Sequence, residues 1–254
     1  MLLGMLCMAQ AKDRIVERPP FLAQNSSSIE IDKIVMSDTV TTVYIKAFYR
    51  PKYWIKIATG SVLKDNNGIL YPIRKGIGIT LDKEFWMPES GEAEFQLTFP
   101  PIPQNVTRLD FSEGDFEGAY KIWGIQLDKK SFGKFKLPKD VIVPKADHKM
   151  TLPDPIVKYD KAILKGRILD YQKGMPDKGS LYYQDVIREG AQEGKIRIQD
   201  DGTFYHEMNV FMITPCTIMS PFGTIEYLLA PGETTSIVIN LRCLLYTSPS
   251  PRDS

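Results

Sequence analysis

The chain has 254 residues, 43% hydrophobic and 25% charged, which is enough apolar material for a core and excludes the composition of disorder. Its 32 basic and 31 acidic residues leave a formal net charge of +1, so no global basic field exists to recruit nucleic acid or anionic lipid. No apolar run approaches the roughly 20 residues of a transmembrane helix, and two His and three Cys leave little for metal or thiol chemistry.

The N-terminal stretch Met1-Leu-Leu-Gly-Met-Leu-Cys-Met-Ala-Gln-Ala11 is apolar and ends in the small-x-small pattern of a signal-peptidase site. Residues 1–11 therefore read as a signal-peptide remnant, and the protein is expected to be exported. Cleavage there removes Cys7.

Residues 26–127 carry a period of two. Val43, Ile45 and Ala47 alternate with Tyr44, Lys46 and Phe48, and Ala93, Phe95, Leu97 and Phe99 alternate with Glu94, Gln96 and Thr98. Such alternation buries one face of a strand. Asn67-Gly68, between Ser61-Val-Leu63 and Ile69-Leu-Tyr71, predicts a hairpin with positive φ at both residues. A β-sandwich of roughly seven or eight strands follows, immunoglobulin-like in outline but without the Cys–Trp–Cys pattern of antibody domains.

Residues 128–160 mix lysines with Pro138, Pro144, Pro153 and Pro155, the composition of a semi-extended linker. A second, smaller β-sandwich is predicted over residues 161–242. It opens on Ala162-Ile-Leu-Lys-Gly-Arg-Ile168, with a bulge expected at Gly166. Lys195–Ile198 and Thr203–His206 flank the turn Asp200-Asp201-Gly202, and Ala230-Pro-Gly-Glu233 joins Tyr227–Leu229 to Thr235–Leu241. The fold class is all-β: two consecutive sandwiches and a Lys/Pro-rich linker.

Few residues suggest chemistry. Asp110, Glu113, Asp115 and Glu117 could gather a hard cation, but they lack the order of a calcium loop, and a solvated turn is the plainer reading. His206 and Cys216 could form a base–nucleophile pair, although Cys216 sits in an apolar strand where a buried thiol is usual. Gly76-Ile-Gly78 lacks the rest of a phosphate loop. Asn25 and Asn105 open glycosylation sequons, which matter only in a eukaryotic source. Tyr49, Tyr53, Trp54, Phe85, Trp86 and Trp123 load the first unit with aromatic rings, either as sandwich packing or as a platform for sugar or peptide. No catalytic, cofactor-binding or metal residue is assigned, and the chain is expected to be non-catalytic.

Two resemblances complete the reading. Cys243 to Asp253, eleven consecutive residues, resembles one frame of a translated transposase-library sequencing adapter. Residues 243–254 are therefore expected to be artefactual, with the natural chain continuing past Arg242. Ala47-Phe-Tyr-Arg-Pro-Lys-Tyr-Trp-Ile55, Phe85-Trp-Met-Pro-Glu-Ser-Gly-Glu-Ala93 and Lys121-Ile-Trp-Gly-Ile-Gln-Leu127 resemble the N-terminal β-domain of TlpA-like thiol–disulfide reductases of Gram-negative bacteria. Leu164-x-Gly166-Arg, Asp201-Gly-x-Phe204 and Leu229-Ala-Pro-Gly-Glu233 are similar to the small β-domain that precedes their redox module. That resemblance implies a periplasmic or envelope-associated accessory region, cut before a thioredoxin domain, that positions the parent or binds a partner. The alternative is a stand-alone exported module that binds glycan or peptide.

Overall fold

The computed structural model describes residues 13–128, 139, 157–184, 190–220 and 222–241. The readings of residues 1–11 and 243–254, and most of the linker reading, lie outside the described residues. The chain divides into two compact units, Met1–Gly133 and Lys134–Ser254. Among the described residues every regular element of both is a β-strand, as the alternation requires.

The first unit begins with β1 (Arg14–Glu17), β2 (Ala23–Gln24), β3 (Ile29–Met36), β4 (Thr41–Phe48), β5 (Trp54–Ile55) and β6 (Val62–Asp65). It continues with β7 (Leu70–Pro72), β8 (Lys75–Ile77), β9 (Phe85–Trp86), β10 (Glu92–Phe99), β11 (Arg108–Ser112) and β12 (Lys121–Gln126). Two five-stranded sheets, β1-β3-β4-β10-β8 and β2-β12-β11-β6-β7, form the sandwich, and β5 and β9 pair as a separate ribbon. This exceeds the seven or eight strands expected, because several strands are too short for periodicity to mark. Val43, Ile45, Phe95, Leu97 and Phe99 from one sheet meet Leu63, Leu109, Phe111, Ile122 and Ile125 from the other in one core. Each such side chain stabilises the fold by about 1.5–3 kcal/mol.

Two strands lie ahead of residue 26. The Arg14 guanidinium donates to the carbonyls of Gln104, Val106 and Leu127 at 2.6–2.8 Å, fastening β1 across the sandwich. The β6–β7 hairpin forms where expected, with a different turn. Asp65 N–H donates to the Ile69 carbonyl, so three residues make the loop, and Gly68 takes a φ of 85°. Asn67 is not in the positive-φ region. A three-residue loop needs a left-handed conformation only at its last position.

The second unit contains β13 (Asp160–Leu169), β14 (Lys178–Gln184), β15 (Ala191–Arg197), β16 (Thr203–Val210), β17 (Thr214–Ser220), β18 (Gly223–Leu229) and β19 (Thr234–Asn240). They form a three-stranded sheet, β16-β13-β19, and a four-stranded sheet, β15-β14-β17-β18. β13 and β19 run parallel, in register from Ile163↔Thr234 to Leu169↔Asn240. The Asp200–Gly202 turn closes through a single bridge, Ile198↔Phe204, before β15 and β16 part into different sheets. The 230–233 turn likewise sends β18 into one sheet and β19 into the other. Both are corners of the sandwich.

The bulge expected at Gly166 is absent. Gly166 pairs in register with Phe204 on one side and Ile237 on the other. A Cβ there would stand 1.8 Å from Phe204 Cζ, so the glycine exists to let that ring lie across the strand.

Candidate functional site

Four aromatic side chains in the first unit face solvent close together in the chain's β4–β5 turn and its β5–β9 ribbon. Tyr49 is 40% exposed, Tyr53 54%, Trp54 44% and Trp86 60%. The ribbon explains why. Ile55 pairs with Phe85 and Trp54 pairs with Trp86. Ile55 and Met87 are buried and Phe85 packs on the core, so alternation turns Trp54 and Trp86 outward. Met87 N–H donates to the Tyr53 carbonyl at 2.8 Å, which leaves Trp54↔Trp86 at the non-hydrogen-bonded position between ladder bonds. Cross-strand side chains approach each other most closely at that kind of pair.

The approach to β5 is a tight turn. Tyr53 N–H donates to the Arg50 carbonyl at 3.2 Å, and Pro51 precedes Lys52, whose φ is 62°. Proline followed by a left-handed residue is the type II arrangement, in which glycine is the easy occupant. Tyr49 and Tyr53 meet edge to face, centroids 6.2 Å apart, and the Arg50 guanidinium lies 5.8 Å from the Tyr53 ring centre. At the rim Lys52 and Glu89 pair at 3.4 Å, both well exposed. The result is a displayed set of rings with hydrogen-bonding groups beside it.

Beyond the ribbon's other end, two carboxylates hold the segment that follows β5. Glu113, 3% exposed, accepts the Ala58 and Tyr120 N–H groups, each at 2.9 Å. Burial raises its carboxyl above the usual carboxylate range, against the pull of those two bonds. Asp82 accepts the Thr59 hydroxyl at 2.6 Å and the Thr59 N–H at 3.0 Å. Those two bonds hold its carboxyl below the usual range.

The other candidates resolve into structural roles. Trp123 is buried. The acidic run does not converge: Asp110 accepts the Gly124 N–H at 2.6 Å, Asp115 pairs with Lys121 at 2.9 Å, and Glu113 is the buried anchor just described. Among the described residues no group of three or more His, Cys, Asp or Glu is placed to hold a metal ion. Cys216 is 2% exposed on β17, and burial pushes its thiol up to about 11. His206, on β16, belongs to the other sheet. In the second unit, a recess lined by Asp177, Arg197 and Asp200 uses its charges internally, Arg197 with Asp177 at 3.7 Å and Lys173 with Asp200 at 2.6 Å. The Asn25 amide donates to the Ala119 carbonyl and accepts the Lys121 N–H, so its first sequon is tied into the fold. Sequence reasoning named the Tyr and Trp residues but missed Lys52 and Asp82. Their signal, a non-glycine residue in a left-handed turn, is conformational.

No protein-family model matches the chain, and no curated protein matches it. Solved structures that match include pullulanase type I from Bacillus subtilis str. 168, at 8% identity over 74% of this chain and 23% of that one, with a TM-score of 0.27. A pullulanase from Anoxybacillus sp. LM18-11 matches at 12% identity over 74% of this chain and 24% of that one, with a TM-score of 0.26. The pullulanase of Bacillus acidopullulyticus matches at 10% identity, covering 82% and 34%, with a TM-score of 0.21. The chain thus spans about a quarter of the length of the first two. TM-scores this low fall beneath those of a shared overall fold, and the likeness supports no functional step.

These findings overturn the kinship with TlpA-like reductases: neither a family model nor a curated protein supports it, and the matching structures named above are pullulanases. The physical reason lies in the residues that suggested it. Gly166 accommodates Phe204, and Asp201-Gly-x-Phe204 and Leu229-Ala-Pro-Gly-Glu233 are sandwich corners. Such residues record how strands pack and change sheets, which any β-sandwich must solve.

Proposed function

We propose that this protein is a non-catalytic β-sandwich module that binds glycan through Trp54 and Trp86, with Tyr49 and Tyr53 beside them. The observation that carries this reading is the cross-strand pair Trp54↔Trp86, displayed at 44% and 60% exposure on a ribbon whose other side is seated on the core. An indole face is apolar and electron-rich, and a pyranose ring offers a complementary face of polarised C–H groups. Arg50, Lys52 and Glu89 supply donors and acceptors of the kind sugar hydroxyls require. The signal-like Ala9-Gln10-Ala11 pattern supports action outside the cytoplasm, where polysaccharides are met.

Affinity electrophoresis of the full chain in gels containing starch, xyloglucan, mixed-linkage β-glucan or galactomannan tests the proposal. At least one polysaccharide should retard the protein, and Trp54→Ala or Trp86→Ala should each weaken that retardation about tenfold or more, the scale of a central aromatic anchor. Both residues are exposed, so each variant should keep its fold. Equal retardation of the variants, or none of the wild type, refutes the reading. Trp-dependent binding of a proline-rich peptide alone would replace glycan with peptide.

A further inference from the structure

We infer that Asp82 is a positioning residue for the Trp54–Trp86 surface: its side chain and main chain together tie the segment after β5 to the segment before β9. The inference rests on the glycan-binding reading for its consequence but not for its geometry.

The ribbon needs such a tie. It has only two residue pairs, Trp54↔Trp86 and Ile55↔Phe85. An isolated two-stranded ribbon is marginal in water even at ordinary length. No short turn connects these strands, because β6, β7 and β8 lie between them in sequence. Registration therefore depends on what grips the ends. At the Tyr53 end, Met87 N–H donates to the Tyr53 carbonyl and Lys52 N–H to the Met87 carbonyl. At the other end Asp82 does the equivalent work. Its N–H donates to the Ile57 carbonyl at 2.8 Å, and its carboxylate takes both the N–H and the hydroxyl of Thr59. Glu113 secures the residue between, through the Ala58 N–H.

The backbone of Asp82 sharpens the point. Its φ is 60°, in the left-handed region that glycine occupies most easily. Aspartate tolerates that region better than most residues, yet glycine would remove the strain altogether. Glycine would also remove the carboxylate. The residue present keeps the clamp at the cost of the strain.

Glycine and asparagine at position 82 separate the two effects. Asp82→Gly keeps the backbone conformation and the main-chain bond to Ile57, and deletes the carboxylate's two bonds to Thr59. Asp82→Asn keeps the conformation and one oxygen to accept the Thr59 N–H. Hydrogen exchange read by mass spectrometry on the full chain reports ribbon order without any ligand. Exchange across residues 53–57 and 83–87 should quicken about three- to tenfold in Asp82→Gly, the scale of one ordinary hydrogen bond lost at a solvent-exposed site, with β3, β4 and β10 unchanged. Asp82→Asn should recover most of the protection. Retardation in starch, xyloglucan, β-glucan and galactomannan gels should weaken in Asp82→Gly by a similar factor and recover in Asp82→Asn. Wild-type exchange in Asp82→Gly overturns the inference. Quickened exchange in a protein that no polysaccharide retards upholds the positioning role and refutes the glycan reading instead.

Discussion

Replacing Gly166 with alanine sets two physical effects of opposite sign against each other. A glycine inside a strand loses more backbone entropy on folding than alanine does, so the substitution alone should stabilise by about 0.5–1 kcal/mol. The structure predicts the reverse. The new Cβ would lie 1.8 Å from Phe204 Cζ, 2.2 Å from Cε2 and 2.3 Å from Cε1. Non-bonded carbons rest about 3.5–4.0 Å apart, so the ring must retreat by more than an ångström. Phe204 is 4% exposed and has no open side to retreat into without disturbing the core. Overpacking of this kind costs about 1–3 kcal/mol, and expelling the ring would cost about 3–5. A net destabilisation of about 2 kcal/mol would lower the midpoint of the second unit by roughly 8–16 °C. Urea denaturation of the wild type, Gly166→Ala, Phe204→Leu and the double variant checks it. The alanine should be much less harmful once Phe204 is leucine, giving a coupling energy of about 1 kcal/mol or more. A neutral or stabilising Gly166→Ala would mean that the ring does not cross the strand as described.

The remaining outcomes concern two titrating groups. With its thiol raised to about 11 by burial, Cys216 should resist iodoacetamide at neutral pH, label faster as pH rises toward that value, and label at once in urea; rapid labelling of the native protein at pH 7 would contradict its burial. Its raised value also means that stability is lost as pH climbs from the ordinary thiol range toward 11, because only the unfolded thiol ionises freely there. Burial pushes Asp65 up, but the Ile69 and Asn67 N–H groups and the Tyr71 hydroxyl outweigh it and leave the carboxyl below the usual range. Its contribution is therefore present above the unfolded aspartate value and lost as pH falls through the folded one, so Asp65→Asn should flatten the acid limb of the melting-temperature profile; superposable profiles would refute this.

The β character of both units was legible because it is written at short range. In β4 the alternating burial of Thr41, Val43, Ile45 and Ala47 restates the sequence directly, and Phe95 and Leu97 do the same in β10 until Thr98 is buried as well. Turns were legible as reversals, since Asp201-Gly202 and Pro231-Gly232 carry their own conformational preferences. What they join was not. Whether a reversal makes a hairpin or a corner depends on which sheet takes the next strand, and that is decided by side chains far away in the chain. The parallel pairing of β13 with β19 is hidden for the same reason. Glu113 was unreadable as a buried anchor, because an acid in a Gly-rich turn looks solvated until its two amide partners are known. The ring-bearing residues were visible by type, but only the pairing of β5 with β9 separates displayed Trp54 and Trp86 from buried Trp123.

Backbone strain points to the same surface from another direction. Among the described residues, Arg18, Lys52, Asp82 and Asp170 are the non-glycine residues with positive φ. Lys52 precedes β5 and Asp82 precedes β9, so two of the four bracket one ribbon. Each departs from the favoured regions at a cost of about 1–2 kcal/mol. Core packing does not demand this, because Ile55 and Met87 could be buried by an ordinary hairpin with glycine in its turns. The outward face returns only part of what a buried pair would, since Trp54 and Trp86 leave about half of their surface in water. Strained residues at both ends oppose folding, and rings left partly in water offset only some of that cost. They become intelligible together if the ribbon is there to hold two indoles at a fixed separation, ready for a flat ligand.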